Sequence, residues 1–271
     1  MKNLIQRTIT GALFVAIIIG SILLNPLAFV GVMALVSVLG LLEFYTMTTK
    51  QDILPDKTTG ILVAFAVFVL VSSVNLQWIE FKYLLIVPAV IMIIPMVELF
   101  RNKPFALNNI ATGIFGIFYI IVPLSMMSLL YVIDQNNQNK SYLLFSFFIL
   151  LWSNDTFAYL FGMSLGKRRL FERVSPKKSW EGFIGGMFST ILISFLLSRF
   201  FPQMLLWQWM GYAIVIVGSG TLGDLTESLI KRHLSIKDSG SILPGHGGIL
   251  DRFDAVLIAI PFVIAYLLLV L

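Results

Sequence analysis

No cysteine occurs anywhere in the 271 residues, which excludes disulfides, thiolate metal sites and cysteine nucleophiles. Charge is scarce as well: Asp, Glu, Lys and Arg together make up 12% of the chain, and there are only two histidines. No Gly-x-x-x-x-Gly-Lys-Ser/Thr run is present, so nothing supports a P-loop NTPase. Neither a repeat of about 20 to 50 residues nor a low-complexity tract is visible, which argues against a solenoid or an array of modules.

What fills the chain instead is apolar. Hydrophobic residues make up 58% of it and the mean hydropathy is +0.92, a balance that a soluble domain of this size would carry only by exposing large apolar patches. Lipid is therefore the solvent for most of the sequence. Apolar runs recur from end to end at the length of about 20 residues that a helix needs to cross a bilayer. Nine spans are expected, at 9–24, 27–46, 60–76, 83–100, 110–133, 142–165, 183–200, 210–230 and 253–271. The fold class is all-α and the chain 1–271 reads as one integral membrane domain, with N-terminal spans in 1–141 and the chemistry in 142–271. Asn25 and Pro26 alone separate the first two spans, which reads as a helical hairpin broken at proline.

Alternating loops differ sharply in basic content. Sixteen of the 19 Lys and Arg residues fall on the N-terminal side of this topology, leaving Lys82, Lys140 and Arg199 on the other. The positive-inside rule then puts the N-terminus in the cytoplasm and the C-terminus outside. Lys2 and Arg7 before an apolar run resemble a signal sequence, but Ser21 to Pro26 offers no small-x-small cleavage site, so a signal anchor is expected. Short loops and the lack of a transit peptide favour a bacterial plasma membrane.

Polar residues crowd into two stretches expected on the cytoplasmic side. Gly166 to Gly182 holds six basic residues, and its end, Ser175-Pro176-Lys177-Lys178-Ser179-Trp180-Glu181-Gly182, places a proline turn and two lysines before a span. Topology alone explains the charge, whereas backbone amides at a helix start beside ammonium groups form a phosphate-binding surface. In the second stretch, Gly218 to Asp254, the residues Asp224, Glu227, Ser228 and Lys231 follow helical spacing and share one face. Gly218, Gly220 and Gly223 serve equally as packing contacts or as room for a ligand. Asp251 and Asp254 stand one turn apart at the entry to the last span, where one acidic residue would satisfy the helix end.

Asp224, Asp251 and Asp254 together are hard oxygen donors of the kind magnesium takes alongside substrate phosphates; salt bridges to Arg232, Arg252 and Lys237 are the competing explanation. The glycine-rich Leu243-Pro244-Gly245-His246-Gly247-Gly248 lies between them, and His246 suits a structural hydrogen bond as well as ligation or acid catalysis. Asp155, beside Asn154 and Thr156 inside the sixth span, is either a structural polar group or a substrate-site carboxylate. Glu43 and Glu98, near basic loops, read as interfacial or helix-packing groups.

Ser228, Lys231-Arg232, Lys237-Asp238, Gly240, Leu243-Pro244, His246-Gly247-Gly248 and Asp251-Arg252-x-Asp254 resemble the signature of the phosphatidate cytidylyltransferase family. Asn154-Asp155, Gly162, Gly166-Lys167 and Ser175 to Gly182 are similar to that family too, so the likeness covers about 152–254. It implies a nine-span enzyme that joins CTP and phosphatidic acid to give CDP-diacylglycerol and pyrophosphate at the cytoplasmic leaflet, with Mg2+ as cofactor. Asp224 and Asp251 are the implied metal ligands and, with Asp254 and Lys237, the expected catalytic set. Substrate contacts are expected from Ser175, Lys177, Lys178, Lys231, Arg232, His246, Gly247, Gly248, Arg252 and Asp155. The expected partners are CTP, phosphatidic acid and membrane lipid, with no nucleic acid; a homodimer and a second divalent or monovalent cation are compatible with all of this. A CTP-dependent lipid or polyprenol kinase and a transporter of an anionic metabolite are the rival readings. The kinase needs a base for an alcohol, and the transporter would show paired halves and a site near the midplane.

Overall fold

The structure is a computed structural model describing residues 2–133, 141–202, 204–242, 245 and 247–271. Among these, nine long helical segments follow one another: α1 (Lys2–Leu24), α2 (Pro26–Thr48), α3 (Lys57–Asn75), α4 (Phe81–Arg101), α5 (Ala106–Ile133), α6 (Tyr142–Leu165), α7 (Trp180–Phe200), α8 (Leu206–His233) and α9 (Leu250–Val270). Eight of them, α2 to α9, are long and apolar enough to cross a bilayer; the apolar part of α1, Thr8–Leu24, is shorter. The protein is a polytopic helical membrane protein, and the expected span boundaries shift by only a few residues. Helices prevail because lipid offers no partner to a backbone amide, so each segment satisfies its own.

Local sequence sets where the helices begin. Asn25, in extended backbone, accepts a hydrogen bond from Ala28 N at 2.8 Å and Pro26 opens α2, so α1 and α2 are separate helices joined by one residue. Ser141 caps α6 through Leu144 N at 3.0 Å, and Ser179 caps α7 through Gly182 N at 3.1 Å. Prolines 88 and 95 lie in α4, which begins as a tighter 3-10 segment, Phe81–Ile86. In α5 a wider π turn, Ile117–Ile121, precedes Pro123.

The core runs through the middle of the bundle and includes the fully buried Trp209, Tyr45, Tyr212, Phe29, Phe68, Phe147, Phe148 and Phe253. α6 lies along α7, and α8 packs on both α7 and α9. Close approach of α6 and α7 depends on missing side chains: a Cβ on Gly182 would lie 2.7 Å from Ala158 O, and one on Gly186 would lie 2.7 Å from Asn154 Oδ1. Long-range bonds fix the two ends. Tyr212 Oη donates to Leu143 O at 2.9 Å at one end, and Gln51 Nε2 donates to His233 O at 2.9 Å at the other. The latter end gathers the close of α2, α6 and α8 with the starts of α7 and α9.

The segment expected to be a plain loop between α6 and α7 forms a small antiparallel hairpin, β1 (Arg169–Phe171) with β2 (Ser175–Ser179). Arg169 pairs with Ser179 and Phe171 with Ser175, with an irregularity between them. Glu181, one residue into α7, closes the base of the hairpin by accepting from Lys167 N at 3.1 Å and Arg168 N at 3.2 Å.

Candidate active site

The β1–β2 hairpin and the ends of α6, α7 and α8 enclose a cleft of about 560 Å³, within the usual size range of small-molecule sites. Its lining is mixed in character: the apolar or aromatic Tyr159, Met163, Leu170 and Phe183 stand among the charged Asp155, Arg169, Lys177, Lys178 and Asp224. Gly220 and Thr221 of α8 and Asn154 of α6 also line it, and the buried Oδ1 of Asn154 accepts no hydrogen bond.

Each wall is placed by its element. Lys177 and Lys178 sit on β2; Lys177 is exposed, whereas Lys178 reaches across to α8 and pairs with Asp224 Oδ2 at 2.5 Å. Ser175, half-buried at the start of β2, keeps the hairpin register rather than lining the cleft. The helical face expected on α8 is present: Ser228 Oγ donates to Asp224 Oδ1 at 3.3 Å, and Lys231 Nζ donates to Glu227 Oε2 at 2.7 Å.

A second ion-pair cluster joins α8 to α9. Lys231 Nζ also donates to Asp251 Oδ1 at 2.7 Å, so one ammonium bridges two carboxylates, with side-chain exposures of 11% for Lys231, 1% for Glu227 and 10% for Asp251. The other oxygen of Asp251, Oδ2, accepts from Gly248 N at 2.8 Å and from Ser239 N and Oγ at 3.0 Å each. Asp251 thus ties the start of α9 to Ser239 and Gly248. Asp254, one turn on, accepts from Ala255 N at 2.7 Å and lies within electrostatic reach of Asp155, Asp224 and Glu227.

Of the other expected site residues, Arg232 is exposed in the last turn of α8, where its Nη1 donates to Ile236 O at 3.4 Å, and Lys237 is exposed on the loop after α8. Arg252 is exposed at the start of α9, within electrostatic reach of Asp155. Gly247 has φ +82°, a left-handed conformation that glycine supplies without strain, and Gly248 is buried. His246, Leu243 and Pro244 lie outside the described residues. Salt bridges to Asp224 and Asp251 come from Lys178 and Lys231 rather than from Arg232 or Lys237: Lys231 is on the inward face of α8 and Lys178 reaches over from β2, whereas Arg232, next along α8, and Lys237, on the loop after it, are exposed.

Glu227 and Glu43 join the site without having been selected from the sequence. Glu227 carried a signal, its i, i+4 spacing to Lys231; its Oε1 is buried without a hydrogen-bond partner. Glu43 carried only that of a carboxylate near the end of an apolar span, which reads as an interfacial or helix-packing group; its partner could not be read, since it stands in α2, 196 positions before the Ser239 it contacts. Glu98, by contrast, lies apart from the cleft in a buried pair with Arg101, held by Asn109 Nδ2 at 2.7 Å.

Among the described residues no group of three or more His, Asp or Glu side chains is placed to hold a metal ion by itself. The donors are hard oxygens of the type that a divalent cation takes together with substrate phosphates: Asp224 is paired with Lys178, Glu227 and Asp251 share Lys231, and Oε1 of Glu227 is buried without a hydrogen-bond partner.

Fold and site together define an integral membrane enzyme whose cleft, lined by charged and apolar residues, sits at the ends of its spans. The sequence profile of the Cytidylyltransferase family matches residues 5–270. The phosphatidate cytidylyltransferase of Staphylococcus epidermidis is 30% identical over 257 residues, covering 94% of this chain and 95% of the relative. That of Staphylococcus aureus is 43% identical over 129 residues, 47% of this chain and 49% of the relative. The chain belongs to the cytidylyltransferase family and is a nucleotidyltransferase.

Proposed function

We propose that this chain transfers the cytidylyl group of CTP to phosphatidic acid, giving CDP-diacylglycerol and pyrophosphate at the cytoplasmic face of a bacterial plasma membrane. The observation that carries the reading is the mixed lining of the cleft: its lysines and carboxylates suit a triphosphate, and the apolar residues among them suit the glycerol end of a lipid. The names of the relatives point to the same pair of substrates. The sixteen-to-three distribution of basic residues supports a cytoplasmic location for this end of the bundle.

An oxygen of the phosphatidate phosphate attacks the α-phosphorus of CTP. A new P–O bond forms, the bond from the α-phosphorus to the bridging oxygen breaks, and pyrophosphate leaves with that electron pair. The nucleophile is already an anion, so no strong protein base is required, and the obstacle is repulsion between anions. Lys177, Lys178 and Arg169 offset it from the hairpin wall. Asp224 and Asp251 would hold Mg2+, which would supply charge neutralisation and alignment of the phosphates. Lys231 keeps Asp251 in place against Glu227, while the three donors on Asp251 Oδ2 fix its second oxygen.

The test is pyrophosphate release by detergent-purified protein given CTP, Mg2+ and phosphatidic acid, each omitted in turn, with Asp251→Asn alongside. The expected result is release that needs all three, CDP-lipid as product, and loss of turnover in the variant. Release of CDP would instead indicate a lipid kinase, and no turnover by well-folded protein would sink the cytidylyltransferase reading.

A further inference from the structure

Glu43 stands near the end of α2 with 5% of its surface exposed, among residues where a carboxylate costs several kcal/mol unless it is paired or wetted. Its partners are Ser239, in the segment after α8, and Leu250, the first residue of α9: Oε2 accepts from Leu250 N at 3.1 Å and from Ser239 Oγ at 3.3 Å. Oε1 is buried without a hydrogen-bond partner. The fit is close. A Cβ on Gly240 would lie 2.4 Å from Glu43 Oε1, and one on Gly248 would lie 2.5 Å from Glu43 Oε2.

If Glu43 served only to pack α2 against the loop, an apolar side chain of its size would do so without the cost of burying a charge. What distinguishes the carboxylate is whom it touches. Ser239 and Gly248, the two residues that donate to Asp251 Oδ2, are also in contact with Glu43. The Ser239 hydroxyl oxygen is within hydrogen-bond distance of both Asp251 Oδ2, at 3.0 Å, and Glu43 Oε2, at 3.3 Å, so the two carboxylates share its one proton. A side chain of α2 thereby reaches the residues that hold Asp251.

We infer that Glu43 is a positioning residue: it anchors Ser239 and Gly240 on one side and Gly248 and Leu250 on the other, so that Ser239 and Gly248 hold the Asp251 carboxylate in its working orientation. The link to catalysis rests on the proposed role of Asp251; the anchoring itself does not. Groups that orient a metal-binding carboxylate typically change metal affinity or activity by about 10- to 100-fold when lost.

The experiment uses the full chain in detergent and two variants. Glu43→Gln keeps size and an acceptor for Leu250 N but removes the charge. Gly240→Ala leaves the carboxylate intact and pushes the loop off it, so it tests the same contact if the glutamine variant fails to fold. Hydrogen exchange should rise in peptides covering 239–250 in both variants while α3 and α6 stay protected. The Mg2+ concentration for half-maximal pyrophosphate release should rise, and kcat fall, by about 10- to 100-fold in total, with the KM for CTP unchanged. Folded variants with unchanged loop exchange and wild-type Mg2+ dependence would overturn the inference. So would a loss confined to thermal stability, with exchange raised evenly throughout. A wild-type protein that releases no pyrophosphate would refute the proposed function instead, and the exchange comparison would still decide whether Glu43 anchors the loop.

Discussion

Replacing Lys231 with methionine removes the ammonium that joins α8 to α9, and the structure says which carboxylate suffers. Asp251 keeps three donors on Oδ2, but Glu227 loses its hydrogen bond at 2.7 Å while its Oε1 has none to begin with. Glu227 is 1% exposed at the side chain, so Lys231→Met leaves a buried carboxylate with no compensation. Breaking a buried pair in this way costs about 3–5 kcal/mol. The thermal unfolding midpoint in detergent should fall clearly, and activity should fall with it. Adding Glu227→Gln to Lys231→Met removes the stranded charge, and the remaining deficit should shrink to about 1 kcal/mol, the net worth of an ordinary hydrogen bond. Thermal melts of the two single variants and the double variant complete the cycle. A Lys231→Met protein as stable as wild type, with only its KM for CTP raised, would refute the bridge and make Lys231 a plain phosphate contact.

Lys178→Met should leave the fold intact, because this pair is partly open at 28% and 35% side-chain exposure, and should raise the KM for CTP; kinetics at varied ionic strength check it. Gly182→Ala places a Cβ 2.7 Å from Ala158 O, so α6 and α7 must part, with an expected cost of about 1–3 kcal/mol seen as a lower unfolding midpoint. Glu98→Ala removes the partner of Arg101 and Asn109 at a site apart from the cleft. It should lower thermal stability while the KM values for CTP and phosphatidate stay unchanged.

Much of this protein was legible in the sequence for one physical reason: in lipid, a long apolar run has to be a helix. The span boundaries, the Asn25–Pro26 break and the Asp224–Lys231 face are all local properties, set by hydropathy, a cap or the 3.6-residue period. The hairpin at Arg169–Ser179 was not legible, because its two short strands carry charge rather than alternating apolar residues, and its base is closed by Glu181 from α7.

By itself, the sequence determined that the chain is a bundle of membrane helices with its polar residues gathered at one end, and it named most of the carboxylates and lysines there. Only tertiary structure decided who pairs with whom. Lys178 meets Asp224 because the hairpin folds over α8, and Lys231 meets Asp251 because α8 lies against α9. Glu43 enters the site from α2, about two hundred positions away in the chain. Helical periodicity reaches only a turn or two along the chain, so contacts of that separation exist only once the bundle has packed.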